Sequence, residues 1–194
     1  FDPPLIILSS VPLSFFVFKM AKMFYLYRSR VKATIPQTVA SALAGLSLSH
    51  TIAKAIMFMC EQTGNANIHI EIADLSLMAD VDALVTRMLA KAKPVDVLIN
   101  NAGALYNPRE LTSEGLERSF ALLLLSPYRL TTGIKPLLDQ SHGARVINVV
   151  SGGMYSQRLN LDKLEAPEED YAGSAAYAHA KRALMIVTQQ WANK

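Results

Sequence analysis

Tyr177 and Lys181 stand four residues apart in SAAYAHAKRAL, a run of good helix formers. That spacing puts both side chains on one helix face, one turn apart. A phenol beside an ammonium can act as an acid–base pair. Free tyrosine titrates near pH 10 and keeps its proton at neutrality, and an adjacent positive charge favours the phenolate. The same spacing also serves ordinary polar pairs on solvated helices, so the pair alone does not mean chemistry. Three other groups add to it. Ser151 offers a hydroxyl after the apolar run RVINVV. Asn100, Asn101, Ala102 and Gly103 form a small polar turn after VDVLI. Asp74 and Leu75 follow IHIEIA. Taken singly, Asp74 could terminate a strand, NNAG could be a plain turn, and Ser151 could be a loop residue.

Strand and helix alternate along the chain that must position these groups. LIIL and FYLY are apolar runs of strand length, though either could belong to a helix. TIPQTVASALAGLSLSHTIAKAIMFMCEQ reads as one or two helices ending near Gly64. ANIHIEIADLS alternates, with Ile68, Ile70 and Ile72 on one face, which predicts a strand. LMADVDALVTRMLAKA has helical periodicity, with Ser76 as its candidate N-cap. VDVLINNAG predicts a strand ending in a turn, and RVINVV a buried strand. Between them SEGLERSFALLLLSPYRLTTGIKPLL is mostly helical. Ser113 can cap it, Glu114 and Glu117 suit its positive end, and Pro127 is expected to kink it. Such alternation predicts βαβ units and a parallel sheet. Ligands of these sheets bind beyond the carboxyl ends of the strands, where Asp74, Asn100 to Gly103 and Ser151 all fall.

In their order and spacing, DLS, VDVLINNAG, RVINVVS and YAHAK resemble the short-chain dehydrogenase/reductases. LINNAG, NPRELTSEGLERSFA, LTTGIKPLL and the long interval from Ser151 to Tyr177 are most similar to the retinol-dehydrogenase-like branch, of the member-twelve type. The resemblance implies an α/β fold, a Rossmann-like doubly wound parallel sheet that is incomplete here. Residues 1–62 stand as a divergent apolar region in place of the first strands and helices, and 63–194 as a partial NAD(P)-binding domain. It also implies roles. Tyr177 is the general acid/base, Lys181 lowers its pKa and holds the nicotinamide ribose, and Ser151 polarises the substrate carbonyl. Asp74 and the Leu75 backbone contact the adenine. Asn100, Asn101, Ala102 and Gly103 line the cofactor, NADP or NAD.

The sequence departs from that family in three ways. The family's phosphate loop carries three glycines, whereas Gly45 is the only glycine before Gly64. Two stand-ins present themselves. Ser9 and Ser10 can occupy the turn between LIIL and FYLY, with Arg28 in the NADP-selecting place; or ALAGLSLSHTIAKAI is a decayed loop and helix. Second, Leu123 falls where relatives carry an asparagine that supports a relay water. Third, the chain ends soon after Trp191, where the family continues with a strand, a substrate lid and a final strand.

Composition narrows the alternatives. The charged fraction is 18 %, below the usual quarter, and no basic stripe argues for nucleic acid. Cys60 is the only cysteine, and no metal-ligand spacing appears, so a reducing, cytoplasmic setting is the default. The apolar residues 1–24 make a poor transmembrane helix, because Pro12, Lys19 and Lys22 interrupt them. Peripheral membrane contact is the alternative. The expected function is NAD(P)-dependent carbonyl reduction or alcohol oxidation on a small molecule, with turnover reduced or absent in the chain as written. The rival is a truncated, non-catalytic fragment that acts by protein or membrane association, including with its own copies. A Ser151-based hydrolase is weaker, since no G-x-S-x-G surrounds that serine.

Overall fold

A computed structural model describes residues 5–9, 61, 69–169 and 171–193. The readings for FYLY, Ser10, Arg28, Gly45, Gly64 and the helices between residues 34 and 62 lie outside them, Glu61 apart. The chain divides into two compact units, Phe1–Glu71 and Ile72–Lys194. Strand β1 (Leu5–Ser9) pairs with β2 (His69–Ala73) in a two-stranded sheet, as the apolar run and the alternation predict. Ile72 is 60 % exposed while Glu71 and Ala73 are buried. Alternation therefore sets the strand here but not the face that is covered.

Helix α1 (Met78–Lys91) buries Met78, Val81, Leu84 and Met88, a stripe at helical spacing. Its N-cap is Leu77, not Ser76, and Leu77 offers no side-chain cap. The Glu114 carboxylate does that work from 36 residues away in sequence, accepting from the N–H groups of Met78 (2.7 Å) and Ala79 (2.8 Å). Two orphan donors gain an acceptor, and a negative charge meets the positive helix end. Ser76 turns its hydroxyl to Asp74 instead. The helix ends on Ala92 at φ 49°, a left-handed position usually given to glycine.

Strand β3 (Val97–Asn100) pairs in parallel with β4 (Arg145–Asn148), Val97 opposite Arg145 and Asn100 opposite Asn148. Leu98 and Asn100 face the core, while Val97, Ile99 and Ile147 lie on an exposed face. The expectation of a buried RVINVV strand is thus corrected: only one face of this sheet is covered by described elements.

The segment between these strands starts later than Ser113. Thr112 to Gly115 form a turn, with Gly115 at φ 80°, and Ser113 is exposed. Helix α2 (Arg118–Phe120) is capped by Glu117, whose carboxylate accepts from the N–H groups of Ser119 and Phe120. A π-helical turn (Ala121–Leu125) follows, then α3 (Ser126–Gly133) and α4 (Lys135–Leu138). Pro127 sits in the first turn of α3, directly after the π turn, and Phe120, Ala121, Leu125 and Ser126 at the junctions all keep right-handed helical dihedrals. Proline lacks an N–H and its ring crowds the carbonyl four residues back. The π turn places its extra residue at that point, with Ser126 N–H donating to the Ala121 carbonyl.

The long helix α5 (Gly173–Ala192) lies against the π turn and α2 with a face of small residues, Ala176, Ala180 and Ala183. Its far end stacks Trp191 on Tyr128, ring centroids 5.6 Å apart. Arg129 and Asp82 join α3 to α1 through two bonds of 2.5 and 2.6 Å. Among the described residues no helix is long and apolar enough to cross a membrane.

Candidate active site

A buried polar chain fixes the strand ends. Asn100 Nδ2 donates to Thr131 Oγ1 (3.1 Å) and to Asn148 Oδ1 (2.8 Å). Asn148 Nδ2 donates in turn to Thr188 Oγ1 (2.8 Å). The Asn100 side chain thereby locks β3 to β4, α3 and α5, and the turn that follows it is held at the sheet's carboxyl edge. Asn101 is buried in that turn, and its Nδ2 has no hydrogen-bond partner among the described residues. Ala102 is half-buried. Gly103 is buried close to Lys181: a Cβ placed on it would lie 3.7 Å from Lys181 Nζ and 3.1 Å from Leu123 Cδ2.

Lys181 is 2 % exposed, and its ammonium donates to the Val149 carbonyl at 2.7 Å. Val149 N–H donates to the Asn100 carbonyl, so the lysine, the β4 end and the NNAG turn meet. Tyr177, one turn earlier on α5, is half-buried, and its hydroxyl has no hydrogen-bond partner among the described residues. Ser151 ends the β4 run and caps a short 3-10 helix (Gly152–Ser156) that packs on α5. Its Oγ accepts from Gly153 N–H at 3.3 Å, which leaves its own proton to donate.

Asp74 belongs to a second cluster. Its Oδ1 accepts from both the N–H (2.9 Å) and the hydroxyl (2.7 Å) of Ser76, and its Oδ2 lies 3.9 Å from Arg118 Nη2. Leu75 beside it is buried. Arg118 also pairs with Glu110 at 2.6 Å and lies 5.1 Å from the Tyr106 ring centroid. Burial foremost raises the Tyr106 phenol's pKa; Arg118 opposes, and Asp74 and Glu110 add to it.

Sequence reasoning overlooked Tyr106, Arg118 and Tyr171. Tyr171 OH donates to the Tyr106 carbonyl (3.0 Å) and to Glu117 Oε1 (3.2 Å). Glu117 was legible as an acid at a helix start, but nothing in the local sequence pairs it with a tyrosine 54 residues away.

The donors suit a nicotinamide nucleotide at one end. Gly103, with no side chain, lies beside the buried Lys181 ammonium, and Asn101, two residues earlier in the same turn, has a buried amide without a hydrogen-bond partner among the described residues. The expected pyrophosphate loop falls in sequence outside the described residues, Ser9 apart.

The sequence model of the short chain dehydrogenase family matches residues 37–194. The chain belongs to that family. It is 43 % identical over 131 residues to human dehydrogenase/reductase SDR family member 12, covering 68 % of this chain and 41 % of that protein. It is 32 % identical over 132 residues to human retinol dehydrogenase 11, covering 68 % of this chain and 41 % of that one. The chain therefore spans about two fifths of the length of these curated relatives, and it falls in the retinol-dehydrogenase-like branch. The short-chain dehydrogenase from Sphingobium yanoikuyae in complex with NADPH superposes with a TM-score of 0.55, covering 75 % of this chain and 52 % of that one, at 24 % identity. The fold is accordingly part of a Rossmann-type α/β domain.

Proposed function

We propose that this chain carries the acid–base half of an NAD(P)-dependent oxidoreductase that interconverts an alcohol and a carbonyl. The observation that supports it is the buried Lys181 ammonium beside Gly103, one helical turn from a Tyr177 hydroxyl without a hydrogen-bond partner among the described residues. In the reductive direction Ser151 donates to the carbonyl oxygen and holds it. Tyr177 gives that oxygen its proton as charge builds on it. Lys181 favours the resulting phenolate by proximity of charge. NADP(H) or NAD(H), when bound, supplies or accepts the hydride. Lys181, Asn101 and the Gly103 turn would hold its nicotinamide end, and Asp74 with Leu75 its adenine.

An apolar alcohol or aldehyde is the substrate class we favour. The retinol dehydrogenase relative supports it, as do Leu105, Tyr155 and Leu161, each more than half exposed. The cytoplasmic setting rests on the lone Cys60, which fits a reducing compartment.

NADPH and NADH titrations followed by tryptophan fluorescence, with turnover on retinaldehyde and simpler aldehydes, test this reading. Binding and turnover are expected, and Tyr177→Phe should lower turnover by about 10² or more while binding persists. A flat titration to millimolar nucleotide sinks the proposal.

A second reading, non-catalytic association, has its own support. Leu123 fills the space beside Gly103, and Val97, Ile99 and Ile147 leave an apolar sheet face exposed. It predicts self-association without turnover.

A further inference from the structure

We propose that Tyr171 is a positioning residue whose hydroxyl latches the start of α5 and so sets where Tyr177 stands. This deepens the reading above and rests on it for the role of Tyr177. Helix α5 begins without a side-chain cap, because its N-cap is Ala172. What holds its start is lateral. Tyr171 OH donates to the Tyr106 carbonyl at 3.0 Å and to Glu117 Oε1 at 3.2 Å. Glu117 is itself immobilised, 1 % exposed and accepting from Ser119 N–H (2.9 Å) and Phe120 N–H (2.7 Å). Gly173 then presses its backbone on the same Tyr106 carbonyl so closely that a Cβ would come within 2.1 Å of the oxygen. Arg109 Nε adds a bond to the Ala166 carbonyl at 2.7 Å.

The loop entering α5 is thus strapped to residues 104–110, which run on directly from Gly103. Among the described residues the Tyr177 hydroxyl has no hydrogen-bond partner, so its position follows from the helix that carries it. The latch connects that helix to the turn beside Lys181 and gives acid/base and lysine a common anchor. Burial foremost raises the Tyr171 pKa, and the Glu117 carboxylate adds to this, so the hydroxyl keeps its proton as a donor.

Tyr171→Phe removes the hydroxyl and keeps the ring. In chain labelled with 3-fluorotyrosine, the Tyr177 resonance, assigned with Tyr177→Phe, should move in Tyr171→Phe. Amide exchange over residues 173–178 should rise by about tenfold or more while α1 is unchanged. Where the unsubstituted chain turns over, kcat should fall about tenfold or more with the nucleotide KM nearly constant. Gly173→Ala, which drives a methyl into the Tyr106 carbonyl, should move the same resonance. An unmoved Tyr177 resonance in Tyr171→Phe, or unchanged exchange at 173–178, overturns the latch. Absence of turnover in the unsubstituted chain overturns the proposed activity instead, and the resonance and exchange still decide the latch.

Discussion

The two polar clusters of the described fold treat their functional groups in opposite ways. Around Asp74 the carboxylate is engaged within the protein: Ser76 donates twice to one oxygen, and Arg118 approaches the other. Around Tyr177 the phenol and the Ser151 proton have no acceptor among the described residues, and Asn101 leaves a buried amide unmatched. A satisfied group is a structural part that a ligand must compete for. An unsatisfied buried or half-buried donor costs stability, and a ligand that accepts from it returns that cost. On the proposed function, the Tyr177 end is therefore prepared for a partner, while the Asp74 end must exchange protein bonds to make one.

That contrast is sharpest under truncation of each side chain. Asp74→Ala removes the acceptor of two donors on Ser76, a residue 2 % exposed. The expected loss of folding stability is about 2–3 kcal/mol. Tyr177→Phe removes a hydroxyl with no partner among the described residues, and stability should change by less than about 0.5 kcal/mol. Urea unfolding of the two variants measures both. Equal losses would erase the distinction between a structural carboxylate and an available phenol.

Leu123→Asn probes the acid–base end from the other side. Leu123 is 0 % exposed in the π turn and packs beside Gly103 and Lys181. An amide there costs about 1–3 kcal/mol of stability for burying a polar group in an apolar site. On the proposed function it also adds a group able to hold a relay water, so turnover should rise about tenfold if proton delivery limits the rate. Stability and rate should move in opposite directions. A variant that is less stable and no faster would show that Leu123 does not limit proton delivery.

Much of this was legible before the structure. Alternating strand and helix patterns are local, so they predicted a parallel α/β arrangement, with NNAG, Ser151 and the Tyr177–Lys181 helix at the strands' carboxyl ends. Capping was not legible, because the partners are distant. Ser76 and Ser113 look like caps to a local reading, yet carboxylates from Glu114 and Glu117 take those places. The strand faces misled for a similar reason. Alternation in IHIEIA and the apolar run in RVINVV mark strands, while the covering elements decide which side is buried. Tyr171 stayed hidden because its acceptors, the Tyr106 carbonyl and Glu117, are 65 and 54 residues away.

The smallest effect is an alkaline one, and it touches both clusters. Tyr106, beside Arg118 and Asp74, and Tyr171, in the latch, both have pKa values raised above the ordinary 10.0, burial being the first cause in each. A raised phenol pKa means that the folded state holds the proton more tightly than the unfolded one. The stabilisation is complete below the unfolded value and is lost as pH rises through the folded one. Stability measured by urea unfolding should therefore be level with respect to these two groups near neutrality and decline above about pH 10. Both phenols are partly open to solvent, so the decline is shallow. Tyr106→Phe and Tyr171→Phe should each flatten it, because the titrating group is gone. If Tyr171→Phe leaves the alkaline slope untouched while Tyr106→Phe removes it, the shift belongs to the Arg118 cluster alone. Tyr171 would then owe its protonated state to nothing beyond ordinary tyrosine chemistry.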